Sequence, residues 1–351
     1  MNRARDRAPT YRVYMKSAML EREQGQYEDA IQLIEDGIAK YPTTASKLYM
    51  MGGQIYSEDL PKSLFNGDGG GNATNTAVTD GDEELLKKKK SYLEKARKIY
   101  QNGIEKCTSD PSGNVELWIL ASRLEERTHT FLSLTEGDNS EWSTSSSAGI
   151  TKARSLLELA RLKHPKNDRL WLEAVQLEQR SNSPNKISAS ESLMARALQD
   201  CPKSGLLLAE SIRIAPRVVQ KSKSQIAIKR DAESPYIINA VATLFASDRK
   251  ITKARRWYER SVLLDKNLGD SWAYYYVFEC EHGTKQHQID VKERCIKAEP
   301  KHGELWQSVA KNITNIKEKK INKESPTGDT LELVAIGIKD RDEKDKESRH
   351  R

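Results

Sequence analysis

The chain has 351 residues, 37% of them hydrophobic and 31% charged, and a formal net charge of +7. No stretch approaches the roughly 18 consecutive apolar residues of a membrane span, and the basic start, residues 1–7, is followed by no apolar core, so neither a bilayer segment nor a secretory leader is expected. Four cysteines without a CxxC pair (Cys107, Cys201, Cys280, Cys295) point to a reducing compartment and free thiols, and 51 acidic residues scattered among 58 basic ones make the charge weak evidence for nucleic-acid contact.

Residues 1–9 read as an N-terminal extension. From residue 10 a two-part helical signature recurs. It opens as Tyr14-x-x-Ser17-x-x-Leu20-Glu21, and its second half follows as Ala30/Leu33/Ile34/Gly37/Pro42. Tyr49 marks the next unit, which is broken by a Gly/Asn-rich insert near 65–84. Leu117-Trp118-x-x-Ala121-x-x-Leu124-Glu125 then restores the first half. A Ser/Thr-rich insert near 133–149 separates it from Ala153/Leu156/Leu157/Ala160/Pro165. Next come Leu170-Trp171-x-x-Ala174-x-x-Leu177-Glu178 and Ser190/Leu193/Met194/Ala197/Pro202. The units marked by Leu208 and Ile238 are degenerate, with Ala215 and Phe245 in place of the glutamate. The pattern returns with Ala254/Trp257/Tyr258/Ser261, Trp272-x-x-Tyr275-x-x-Phe278-Glu279, Gln288/Val291/Cys295/Pro300 and Trp306. Residues 317–338 hold one apolar stretch, Leu331 to Ile336, expected as a cap; 339–351 are expected to be a disordered charged tail.

Steps of three and four place the apolar residues on one helix face, and the proline ends the helix. The markers Tyr14, Tyr49, Trp118, Trp171, Leu208, Ile238, Trp272 and Trp306 are spaced 35, 69, 53, 37, 30, 34 and 34 residues apart. The two long gaps are those carrying the inserts, which bury too little to offset their ordering entropy and are expected as mobile loops. A helix pair this short buries its apolar face only by stacking on its neighbours. The fold expected over residues 10–316 is therefore an all-α repeat solenoid.

Tyr14, Tyr49, Trp118, Trp171, Trp257, Trp272 and Trp306 could be a stacking platform for a ligand, but their constant phase makes them repeat-packing residues. Glu21, Glu125, Glu178 and Glu279 recur once per repeat and so do not converge in one pocket. They are expected to pair with Arg97, Arg154 or Arg255 on neighbouring helices. Cys280, His282, His287 and Cys295 resemble a zinc set only superficially, since Cys295 fills the small buried position of its helix. Gly67-Asp-Gly-Gly-Gly-Asn lacks the Lys-Ser/Thr of a phosphate loop. No catalytic, cofactor or metal site is expected. Arg217, Lys221, Lys223, Lys229 and Arg230 form the densest one-sign patch, at the point where the repeat weakens. Such runs are more often solvated faces, yet broken local rules mark function, and the patch reads as partner- or RNA-facing.

The Trp-x6-Glu helix followed by Ala-Arg and a proline resembles the half-a-TPR (HAT) repeat, found mainly in RNA-processing proteins. Contiguous strings go further: Leu117 to Glu126, His164 to Asn167, Leu170 to Glu178, Leu193 to Pro202, Arg249 to Tyr258, Leu268 to Ala273, Glu299 to Trp306 and Gly328 to Ala335. In order, they resemble the C-terminal repeats of the pre-mRNA-processing factor six family. That resemblance implies a right-handed α-α superhelix of HAT/TPR-like pairs. It further implies a nuclear, non-enzymatic scaffold bridging U5 and U4/U6 snRNPs in the tri-snRNP through protein partners, with weak or indirect snRNA contact and no membrane or small-molecule substrate. Members of that family are longer, with more repeats ahead of this part, so their N-terminal contacts are not carried over. The competing readings are a HAT scaffold of 3′-end or ribosomal-RNA processing, a helical subunit of an enzyme complex, and a TPR peptide receptor. The apolar Ile119, Leu172 and Ala273 argue against the last.

Overall fold

The computed structural model describes residues 10–61, 80–132, 142–181, 183–311 and 326–350. Among these are sixteen α-helices and one π-helical turn, with no strand. Two compact units, 1–193 and 194–351, divide the chain inside one helix.

The first unit opens with the helix pair α1 (Tyr11–Gln24) and α2 (Tyr27–Lys40). Gly25, at φ 83°, closes α1, and the Gln26 N–H donates back to the Glu21 carbonyl at 2.9 Å. Helix α3 (Ser46–Gln54) runs through a π-turn, Ile55–Asp59, and packs on α4 (Asp80–Lys106). The pair α5 (Pro111–Leu132) and α6 (Trp142–Lys163) follows, then α7 (Asp168–Arg180), started by the Asn167 side chain accepting from Leu170 N–H. The division of the chain falls within α8 (Lys186–Asp200).

The second unit continues with α9 (Gly205–Ile214) and α10 (Arg217–Arg230), α11 (Pro235–Ser247) and α12 (Ile251–Leu264), and α13 (Gly269–His282) and α14 (Lys285–Ala298). The short α15 (Glu304–Ala310) and the long α16 (Pro326–His350) end it. Leu331, Val334, Ala335 and Ile338 of α16 join the core made by α13, α14 and α15. Each unit is thus an all-α stack of helix pairs.

The small residue of the second-helix pattern has a geometric cause. A Cβ on Gly37 would come within 3.0 Å of the Tyr14 side chain, and one on Gly103 within 2.9 Å of Tyr49. The marker aromatic of each pair crosses its partner helix there, so a larger residue would push the pair apart.

Three expectations meet different geometry. Residues 80–84 and 142–149, expected in loops, begin α4 and α6; the rest of both inserts and residues 1–9 lie outside the described residues. The expected tail from 339 is helical through His350. The apolar face at 331–338 supplies the costly nucleus, and Lys, Asp, Glu and Arg extend a formed helix cheaply. Trp257, expected as a packing knob, is only half-buried; its neighbour Tyr258 fills the core, and Trp257 lies against Phe245 with ring centroids 5.9 Å apart.

Candidate functional site

The repeat glutamates and the Ala-Arg arginines meet pairwise. Arg97 of α4 holds Glu125 of α5 through Nε and Nη2 at 2.5 and 2.6 Å. Arg154 of α6 holds Glu178 of α7 at 2.6 and 2.7 Å, and Arg255 of α12 holds Glu279 of α13 at 2.6 and 2.9 Å. Each two-point clamp joins the second helix of one pair to the first helix of the next. The fork of a guanidinium matches a carboxylate, which makes these the strong class of charged hydrogen bond. The hydrogen bond to each glutamate raises the pKa of its arginine. Glu279 is completely buried, and His287 Nδ1 also approaches it, at 3.7 Å. In the first pair Arg22, beside Glu21, instead reaches Asp59 in the π-turn at 2.5 Å.

Sequence reasoning missed a second set of links between first helices. Arg123 of α5 holds Glu173 of α7 at 3.1 and 2.5 Å, and Arg180 bridges Glu126 and Glu173. Burial acts to raise the Glu173 pKa, but the two arginines outweigh it and hold the carboxyl below its ordinary range. Nothing in the spacing distinguishes Glu173 from a surface glutamate; only the stacking brings Arg123 to it.

Two of the Trp knobs share a polar anchor, while the Trp118 indole N–H donates to the Asn114 side chain at 3.1 Å. The Trp171 indole N–H donates to the Pro165 carbonyl at 3.3 Å, and that of Trp272 donates to the Lys266 carbonyl at 3.0 Å, each six residues upstream. The Arg161 guanidinium stands 4.4 Å from the centre of Trp171, and Arg294 stands 5.8 Å from that of Trp272. Trp118, Trp171, Trp272, Trp306, Tyr14 and Tyr49 are all buried. These aromatics face inward and offer no platform.

Asp270, also unanticipated, is a buried carboxylate in the first turn of α13. It accepts the backbone N–H of Trp306 at 2.8 Å and of Glu304 at 2.9 Å, capping α15 from a different helix. Burial pushes its pKa up to about 6, against the opposing pull of those amides. The string Leu268-Gly-Asp-Ser-Trp carried a signal, since a Gly-Asp at a helix start is a capping sequence; what it caps was not legible.

The four Cys/His residues have other surroundings. His287 forms a capping box with Thr284, His282 lies edge-on to Phe278, and the Cys295 thiol, pushed up to about 12 by burial, is in the core. Among the described residues no group of three or more His, Cys, Asp or Glu could hold a metal, and no helix is long and apolar enough to cross a membrane.

The basic patch lies on α10, but its members differ. Arg217 is engaged, donating to the Ser247 carbonyl at 3.1 Å and to Asp248 at 3.0 Å. Lys223 is half-buried, while Lys221, Lys229 and Arg230 are exposed. Exposed Val218, Val219 and Ile226 lie among them, which charge reading alone did not register.

Comparison with known proteins bears on the long matching strings. A human protein named pre-mRNA-processing factor 6 is 48% identical over 123 residues, covering 35% of this chain and 12% of that protein. The pre-mRNA-splicing factor prp1 of Schizosaccharomyces pombe is 29% identical over 282 residues, 80% of this chain and 25% of that protein. Over these stretches the chain is similar to proteins of the pre-mRNA-processing factor six family. It spans between about an eighth and a quarter of the length of these factor six relatives. No family model matches it. Among solved structures, yeast Tom70 aligns over 97% of this chain and 91% of its own, at 11% identity and a TM-score of 0.35.

Proposed function

We propose that the chain is a non-enzymatic nuclear scaffold in pre-mRNA splicing, holding U5 and U4/U6 snRNPs together in the tri-snRNP. The observation that carries this is the 48% identity over 123 residues to a protein named for pre-mRNA processing. The geometry suits the task. A joining element must keep its binding surfaces at fixed spacing, and here successive helix pairs are fixed by two-point ion pairs as well as by apolar packing. The carboxylates that recur most regularly are consumed by those clamps.

The test is to isolate the tagged chain from nuclear extract of its own organism and sequence the RNA that accompanies it. U4, U5 and U6 RNAs together are expected. After depletion, U5 and U4/U6 particles should persist unjoined while unspliced pre-mRNA accumulates. Co-isolation of ribosomal precursors instead, or intact joined particles after depletion, would overturn the assignment.

A further inference from the structure

Helix α10 departs from the repeat rule in a particular way. The core-facing positions filled in α4, α6 and α12 by Ala, Ile, Leu, Trp or Tyr hold Gln220, Lys223 and Ser224 in α10, and only Ser224 and Ala227 of its fourteen residues are buried. Lys221 stands where Arg97, Arg154 and Arg255 stand in their helices. The carboxylate that would receive it is replaced by Phe245, so this cation faces solvent.

Apolar residues turn outward on the same helix: Val218 is 92% exposed, Ile226 51% and Val219 39%. Val218, Ser222 and Ile226 follow one another at steps of four, the spacing of a single ridge, with Lys229 and Arg230 at its far end. Helix α12 of the same unit adds the exposed ridge Lys253, Arg256 and Arg260. Arg260 also donates to the Ala232 carbonyl, in the turn that follows α10, at 3.0 Å. The sequences of α10 and α12 together carry nine Lys and Arg but one acid, Glu259, which accepts from the Tyr275 hydroxyl.

We propose that the outward ridge of α10, with the exposed cations Lys221, Lys229 and Arg230 along it, docks an amphipathic helix of a protein partner whose apolar residues are flanked by Asp and Glu. An apolar strip with cations along its margin matches that chemistry, as in helix-on-groove recognition. RNA fits less well. Phosphates would take the lysines but leave Val218 and Ile226 against water, and α10 has no aromatic on which a base could stack. The proposal rests on the scaffold reading only in requiring a protein partner.

The test uses the purified full chain and three defined probes. One is a synthetic helical peptide with Leu on one face and Glu at the flanking positions; the others are the same peptide with Lys for Glu and a uridine-rich single-stranded RNA. The Glu peptide should bind, should lose affinity as salt rises, and should be about tenfold weaker against Ile226→Asp and against Lys221→Glu/Lys229→Glu/Arg230→Glu. All these positions are exposed, so far-ultraviolet circular dichroism and the melting temperature should match those of the native chain and separate lost binding from lost fold. Three outcomes would overturn the proposal: no binding of the Glu peptide, equal binding of the Lys peptide, or RNA binding that responds to the lysines and ignores Ile226. None of them involves snRNA association in extract, so failure here and failure of the splicing assignment are told apart.

Discussion

The pairs around α5 to α7 and the pair α9–α10 share one plan and differ in how their neighbours are held. In the first region every step is clamped: Arg97 on Glu125, Arg154 on Glu178, and Arg123 and Arg180 on Glu173. In the second, Ala215 and Phe245 replace the glutamates, and Glu210 pairs within its own helix with Arg213 and is approached by Arg341 of α16 at 3.7 Å. Where the clamp is kept, charge serves the stack and little is left for a partner. Where it is lost, cations and apolar side chains turn outward together. A rigid segment and an interacting segment can thus arise from one repeat by exchanging a few residues.

The largest test of this contrast is removal of a knob from a clamped pair. Trp272→Ala should destabilise the second unit by about 3–5 kcal/mol, because it empties a cavity bounded by helices that cannot close on it. Denaturant titration checks this; a loss below about 1 kcal/mol would mean that the tryptophan is not a keystone of the stack.

Next in size is the clamp itself. Arg255→Ala should cost about 3 kcal/mol, since it takes the two-point partner from a fully buried carboxylate and leaves it only His287 at 3.7 Å. Adding Glu279→Gln should recover part of that loss, which a purely steric role for Arg255 would not allow.

A smaller effect concerns pH. The Asp270 pKa, about 6 when folded against 3.8 ordinarily, means that between those values the folded chain holds a proton the unfolded chain has released. Its contribution therefore falls as pH rises through that window, on the order of 1–3 kcal/mol. Hydrogen exchange of residues 304–310 should speed up between pH 4 and pH 7 beyond the intrinsic rate, on the order of tenfold or more, and Asp270→Asn should remove that excess. An excess that survives in the variant would assign the titration to another group.

The smallest effect is the sharpest for the comparison. Lys221→Ala should change stability by less than about 0.5 kcal/mol, although Lys221 occupies the same register as Arg255. A loss comparable to that of Arg255→Ala would show that α10 is clamped by a partner within the chain and is not free for docking.

Much of this was legible in the residues. The 34-residue recurrence, the Trp and Tyr markers and the Glu-to-Arg pairing follow from helical periodicity, because a residue's face is set by its position modulo 3.6 whatever surrounds it. Even the arginine partners could be named, since in a regular stack each repeat repeats its neighbour's contacts. Other features depend on which helix lies beside which. Asp270 caps a helix that begins 34 residues later, Glu173 gains two arginines from outside its own pattern, and Trp257 yields the core to Tyr258. The basic run on α10 was visible as charge, but whether each cation was spent or free was not: Arg217 is bound to the end of α11, and Lys221 is free because a phenylalanine stands where its acid would be. Local periodicity fixes what each helix presents; only stacking decides which of those groups meet a partner and which are left facing solvent.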